Sequence, residues 1–475
     1  MSKSPRRNLA LVAALLGWMF DGFEMGLFPL VARPALRDLL GPGTLESVVG
    51  LWFGVITAGF LVGAATGGVL FGRLGDRVGR VKAMTLSVLV YAGCSGLCGF
   101  AAEPWHLAVL RFLGALGMGG EWALGVALVM ELFADTPRGK LAGAIGAAGN
   151  LGYAVVAVVA LSLNQMPTFE FAGASNWRLL MFLGALPAVL TLFLRLFVPE
   201  SKPWEAARDA GQVNHWSRSD LVVIAFGMVA AVGMVALWAT PYSLAVRLPL
   251  TLLLVATAGG CFLAPIGRFL EASGTPDGEV RRSLGRLVLG AGLAGVPLLA
   301  TWAGVMWQYT FVHKLTDGQN PTAVPTVMLA SASAAALGSL VIALLGDRLG
   351  RRPVYAALCV LSLAALLSFY TLHDHYGPAL VIHAGVVGFV CAGFYGWLPL
   401  YLPELFPTAI RAAGQGFSFN FGRVLAAVGA LQTTALLNAF DNDYARACSV
   451  TAGVYLVGLV LIAFAPETRG RPLPA

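Results

Sequence analysis

Asp21 and Glu24 stand in the middle of an otherwise apolar run, LVAALLGWMFDGFEMGLFPL, from Leu11 to Leu30. A run of that length reads as a membrane-crossing helix, for which about 20 apolar residues suffice. A carboxylate at bilayer depth is costly, so it turns toward a cavity or a partner and marks an ion or substrate path. Three residues apart, the two acids share one helix face, which is either a proton-coupling site or an internal clasp. Arg111 and Glu121, in RFLGALGMGGEW, pose the same choice on another span: coupling groups or a buried ion pair. Arg423 sits mid-span with Gln415, Ser418 and Asn420 nearby. Its planar fork suits a carboxylate, which makes it an anion-binding group or, alternatively, a structural partner for an intramembrane acid. Gln308 and Tyr309, beside Trp302 and Trp307, and Tyr395, beside Trp397, are candidates to line a cavity, although aromatic residues also serve packing and the membrane interface. His383 is a further candidate proton group. The six cysteines fall in or beside apolar spans with no CxxC spacing, so neither a disulfide frame nor a metal is expected, and no cofactor.

These residues need a polytopic framework, and the composition supplies one. The chain has 475 residues, 58% of them hydrophobic and 12% charged, where soluble domains carry about 25% charged. Its mean hydropathy is +0.77. The first apolar run is too long and too acidic for a cleavable leader. Fourteen candidate spans begin near residues 9, 48, 82, 104, 138, 177, 221, 246, 284, 322, 354, 378, 409 and 447. With the N-terminus inside, most of the 31 Lys and Arg fall on the inner side, and the outer side keeps Arg33, Arg37, Arg178, Arg247, Lys314 and Arg446. That asymmetry predicts two cytoplasmic termini. It also explains the net charge of +7 without nucleic acid.

The chain repeats itself. GRLGDRVGR (Gly72 to Arg80) returns as ALLGDRLGR (Ala343 to Arg351), ELFADTPRGKLAGAIGAAGN (Glu131 to Asn150) as ELFPTAIRAAGQGFSFNFGR (Glu404 to Arg423), and Pro199-Glu200-Ser201 as Pro466-Glu467-Thr468, each about 270 residues on. Two homologous six-span halves are expected, residues 1–200 and 284–475, joined by a connection over residues 201–283 with two further membrane helices. A pair of extra crossings keeps both GDRxGR loops on one side, which a single crossing would not.

GRLGDRVGRVK resembles the loop signature of the major facilitator superfamily, and RFLGALGMGGEW its Gly-rich fourth helix, whose glycines let helices approach closely. FDGFE, GMGGEW and RAAGQGFSFNFGR, with the two central spans, are similar to the sialate:proton symporters and, more loosely, to the aromatic acid:proton symporters, where Glu24 here replaces an Asp. The resemblance implies an all-α membrane protein of the major facilitator fold, a monomer in a bacterial inner membrane. It implies Asp21, Glu24, Arg111 and Glu121 as proton-coupling residues, and Arg423, Gln415, Asn420, Gln308, Tyr309 and Tyr395 as substrate contacts. A cytoplasmic gate is implied at Gly72, Asp76, Arg77, Gly79, Arg80, Glu131, Arg138, Asp347, Arg348, Arg351, Glu404 and Arg411. The implied activity is import of a small organic acid with protons, by rocking one half against the other. The Pro-Glu-Ser and Pro-Glu-Thr motifs also resemble those of sugar porters, so a sugar or polyol:proton symporter is the alternative, and a non-transporting solute sensor a distant one. No HExxH, GxSxG or Walker loop is present, which argues against an enzyme.

Overall fold

The computed structural model describes residues 5–133, 136–165, 176–187, 189, 198, 200, 202–209, 217–240, 242–407, 410–441 and 443–474. These are helical almost throughout, and the described residues contain no strand. The first half holds α1 (Pro5–Leu40), α2 (Glu46–Val78), α3 (Arg80–Leu97), α4 (Pro104–Leu132), α5 (Arg138–Gln165) and α6 (Asn176–Leu183). A short α7 (Lys202–Asp209) precedes the central pair, α8 (Arg218–Ala239) and α9 (Leu244–Ala272). The second half holds α10 (Asp277–Ala300), α11 (Trp307–Leu315), α12 (Ala323–Leu349), α13 (Arg351–Leu372), α14 (Pro378–Cys391), α15 (Gly393–Tyr401), α16 (Arg411–Ala439), α17 (Tyr444–Ala452) and α18 (Val454–Phe464).

Twelve of these helices or helix runs are long and apolar enough to cross a membrane, the central pair included. Of the span that begins near residue 177, only its first part, through residue 187, and residue 189 lie among the described residues. α16 has 29 residues, ample for a crossing, but its Arg, Gln, Ser and Asn residues dilute its hydropathy. The helix that contains residue 284 begins already at Asp277, after a turn with Gly274 at φ +73°. A π-helical segment, Thr301–Val305, separates α10 from α11; such segments mark functional sites in many helices.

Packing repeats between the halves. α2 packs on α4 and α1 on α5, as α12 packs on α14 and α10 on α16. The halves meet mainly where α2 packs on α16 and α5 on α12, with α15 also touching α5 and α16 touching α4. Glycines make these approaches possible: a Cβ on Gly143 would lie 3.0 Å from the Leu340 backbone and one on Gly416 2.6 Å from the Gly68 carbonyl. α8 and α9 pack as a hairpin, tied near one end by the Asp220–Arg268 ion pair (3.0 Å) and near the other by a Trp238 Nε1–H bond to Thr251 Oγ1 (2.9 Å). The hairpin rests on α2 and α16, with Phe262 edge-on to Phe421.

The repeated Pro-Glu motifs have a shared structural role. Glu200 Oε1 accepts from the Arg80 backbone N–H (2.8 Å) at the start of α3. Glu467 accepts from the backbone N–H groups of Arg351, Arg352, Thr468 and Arg469, each at 3.0 Å, and so caps α13. A carboxylate there meets unsatisfied donors and the positive end of the helix. Burial works against ionisation of Glu467, yet the four N–H groups hold it below the usual carboxylate range. This cap therefore persists from neutral to mildly acidic pH and is lost only as pH falls through that lowered range.

The residue before each capped helix is glycine, Gly79 at φ +113°, ψ 150° and Gly350 at φ +114°, ψ 156°. Only glycine adopts that conformation readily, and a Cβ on Gly350 would lie 3.0 Å from Glu467 Oε2. Gly350→Ala is expected to destabilise the fold by about 1–3 kcal/mol, read as a lower thermal midpoint in detergent, with Gly79→Ala behaving alike.

Candidate functional site

A central cavity of about 140 Å³ lies between the halves. Its wall is drawn from α1, α4 and α5 on one side and from α10 to α12 and α14 to α16, with the π-helical segment, on the other. The aromatic part comprises Trp18, Trp122, Tyr153, Tyr309, Tyr395 and Phe419. Trp122 and Phe419, from opposite halves, stack with ring centroids 3.8 Å apart and planes at 9°. The polar part comprises Asp21, Asn150, Thr301, Ser331 and Arg423. Several of these are already engaged: Tyr395 donates to Thr301 Oγ1 (2.9 Å), and Asn150 donates to the Gly146 carbonyl (2.9 Å) and to Ser339 Oγ (3.2 Å).

Arg423 is buried (4% exposed), its guanidinium carbon 5.1 Å from the centre of the Phe419 ring. Its Nε and Nη1 have no hydrogen-bond partner among the described residues. Asp21, across the cavity wall, interacts with it electrostatically. A cation with free donors, set over an aromatic face, can take a carboxylate through charge-assisted hydrogen bonds, in competition with the acid it faces.

The four membrane charges of the first half separate into two groups. Glu24 is paired with Arg111 and accepts from Ser95 Oγ at 2.5 Å. Arg111 lies between the Phe28 and Phe60 rings, 4.8 and 4.7 Å from their centroids. Both are almost fully buried, and neither lines the cavity. Asp21 does line it, and Glu121 lies behind Asp21 in the interior of the half. The i, i+3 spacing thus puts both acids on the face that meets α4, while their different depths give them different neighbours.

Of the six residues singled out as substrate contacts, Arg423, Tyr309 and Tyr395 line the cavity, whereas Gln308, Gln415 and Asn420 do not. Asn420 instead donates to the Gly119 carbonyl (3.0 Å), a hydrogen bond between the halves. Gln308 and Gln415 are fully buried and make no side-chain hydrogen bond to a described residue. His383 bonds His373 (2.9 Å) and Ser368 (3.1 Å), away from the cavity. Asn150 and Tyr153 escaped notice, although AGNLGY carries two polar groups at i, i+3 on a glycine-rich helix, a legible signal.

At the end of the bundle that holds both GDRxGR loops, the candidate gate residues converge on Glu404. Arg351, fully buried, donates to it through Nε (3.0 Å) and Nη2 (2.7 Å), and Thr468 Oγ1 donates at 2.5 Å. Arg138, from the opposite half, pairs with the same carboxylate and donates to the Arg471 carbonyl. Asp347 accepts from Arg351 (3.2 Å), and Arg411 donates to the Pro474 carbonyl (2.5 Å). Gly79 and Arg80 belong to the capped turn described above, and Gly72 packs beside Ala412. Arg77 and Arg348 are exposed. The side chains of Asp76 and Glu131 lie outside the described residues.

Comparison with known proteins gives this geometry a setting. The family described as sugar (and other) transporter matches residues 9–216 and 297–471, leaving out the central pair. A probable 4-methylmuconolactone transporter of Cupriavidus pinatubonensis is 28% identical over 478 residues, 98% of this chain and 92% of that protein. A niacin transporter of Acinetobacter baylyi is 25% identical, covering 96% of this chain and 93% of that one. Among solved structures, a major facilitator superfamily proton:xylose symporter bound to 6-bromo-6-deoxy-D-glucose superposes with a TM-score of 0.71 at 18% identity, over 99% of this chain and 98% of that one.

Proposed function

This chain belongs to the sugar (and other) transporter family, and from that membership we propose that it imports a small planar organic acid together with protons. It is a multi-pass membrane transporter of the major facilitator superfamily, not an enzyme. The observation that carries the proposal is Arg423: a buried guanidinium with unpaired donors on the wall of the central cavity. A neutral sugar has no need of a cation there, whereas a carboxylate gains charge-assisted hydrogen bonds. Six aromatic side chains line the wall, and Asn150, Thr301 and Tyr395 are already hydrogen-bonded. Flat aromatic faces on the wall suit flat, unsaturated acids, which stack on them, better than sialic acid. The two curated relatives named above carry names of small unsaturated carboxylates, which supports the same reading.

In this reading both termini and the Glu404 cluster face the cytoplasm, in a bacterial inner membrane, and all fourteen spans cross it. The chain works as a monomer. Alternating access breaks the Arg138–Glu404 contact as the halves rock, admitting the cargo to the inner side. Asp21, beside Arg423, takes the proton. The test is uptake into reconstituted vesicles with an imposed inward proton gradient, offering nicotinate, benzoate, sialic acid and glucose. Nicotinate or benzoate should accumulate above equilibrium and fall back to it with a protonophore. Accumulation of glucose and of neither acid would replace this reading with that of a sugar porter.

A further inference from the structure

Trp122 on α4 and Phe419 on α16 stack face to face across the two halves, with ring centroids 3.8 Å apart. Both are almost fully buried, and both line the cavity. The two helices also touch on either side of the stack. Asn420 donates to the Gly119 carbonyl (3.0 Å), and a Cβ on Gly416 would lie 3.4 Å from the Ala123 Cβ. Arg411, which donates to the Pro474 carbonyl, marks the end of α16 beside the Glu404 cluster, and Phe419 lies about 12 Å along the helix from it. The stack is therefore on the cluster's side of Arg423, at a contact the halves must break to open at that end.

Phe419 is also one helical turn from Arg423, whose guanidinium carbon is 5.1 Å from its ring centre. Phe419 and Arg423 share a helix and move together, whereas Trp122 belongs to the other half. While the stack is made, Trp122 fixes the Phe419 ring, and the ring gives the guanidinium a flat support. That support matters because Nε and Nη1 of Arg423 have no hydrogen-bond partner among the described residues to hold them in place. Once Trp122 withdraws, the ring regains its side-chain freedom and the guanidinium loses its fixed pose. A ligand is held differently in two states only through interactions that differ between them, and this stack is one of those.

We propose that Trp122 is a positioning residue for Arg423, and that its stack with Phe419 makes the affinity for the anion depend on which end of the protein is open. With the Glu404 end shut, the stack holds the guanidinium ready for the cargo carboxylate. With that end open, the stack has parted, the grip is looser, and cargo leaves toward the Glu404 side. Trp122 thereby acts on the cargo's carboxylate, through Phe419 and Arg423, rather than on its ring. This deepens the reading of Arg423 as the anion anchor and rests on it.

The test uses titration calorimetry on purified full-length protein, with nicotinate and with nicotinamide, the same ring carrying an uncharged amide. A wild type that binds the two alike has no anion anchor, which sinks the reading of Arg423 and this proposal with it. With the acid preferred, Trp122→Leu is expected to weaken nicotinate binding by roughly 2- to 13-fold, the worth of one aromatic pair. Nicotinamide binding should stay at the wild-type level. Trp122→Phe, which can still stack, is expected to restore nicotinate binding. In vesicles without a gradient, Trp122→Leu should raise KM for nicotinate at the face opposite the Glu404 cluster and leave KM at the cluster's own face unchanged. The proposal is overturned if Trp122→Leu weakens acid and amide equally, which marks a direct ring contact, or weakens neither. It is equally overturned if Trp122→Phe binds no better than Trp122→Leu, or if KM rises alike at both faces. Should Trp122→Leu not fold, Phe419→Leu decides by the same acid, amide and two-face measurements.

Discussion

Arg423→Ala is expected to weaken binding of a planar carboxylate by roughly 10- to 150-fold, the equivalent of one hydrogen bond to a charged group at about 1.5–3 kcal/mol. Gradient-driven uptake should fall below detection. The argument rests on the unpaired Nε and Nη1 at the cavity wall, which leave the fork available to a ligand. Arg423→Lys keeps the charge but offers a point donor in place of the fork, so intermediate affinity is expected. Titration calorimetry and ligand-induced thermal stabilisation read both variants. If Arg423 served only as a counter-charge for Asp21, the alanine variant would lose stability without ligand, and its affinity, measured on the folded fraction, would stay at the wild-type level.

The second large effect is expected at Glu404. Its carboxylate holds Arg351 at two points, Arg138 from the other half, and Thr468. Removing one partner of a buried ion pair leaves an uncompensated charge and typically costs about 3–5 kcal/mol. Arg351 is fully buried and keeps only Asp347 (3.2 Å) as a counter-charge. Glu404→Ala should therefore lower the thermal midpoint by more than either glycine substitution. It should also bias the halves apart at this end, because Arg138 is released with it. Spin labels at Lys140→Cys on α5 and Arg348→Cys on α12, both exposed, would report a longer mean separation in Glu404→Ala. An unchanged separation would show that the cluster stabilises the second half alone.

Much of this was readable before any coordinates. Intramembrane acids on one helix face, a mid-span arginine and three echoes at nearly one spacing are statements about composition and order, which a sequence states directly. Pairing was not readable. Whether Glu24 or Asp21 meets Arg111 depends on the depth at which α4 passes α1, a tertiary quantity. Likewise Gln308 and Tyr309 differ by about 100° around one helix, and only packing decides that Tyr309 faces the cavity while Gln308 faces the core. The Pro-Glu echoes were visible as repeats, but their task as helix caps needed the fold that brings Glu200 to Arg80 and Glu467 to Arg351.

The α8–α9 hairpin lies against α2 and α16, one of the two lines along which the halves meet. Among the described residues nothing comparable lies against α5 and α12. If the halves rock as proposed, lipid tails press into their joint from a single flank, and the two flanks work against different materials, one protein and one fluid. A membrane of altered thickness or stiffness would then load the joint unevenly, so that the hairpin acts as a keel by which the bilayer itself can favour one tilt over the other.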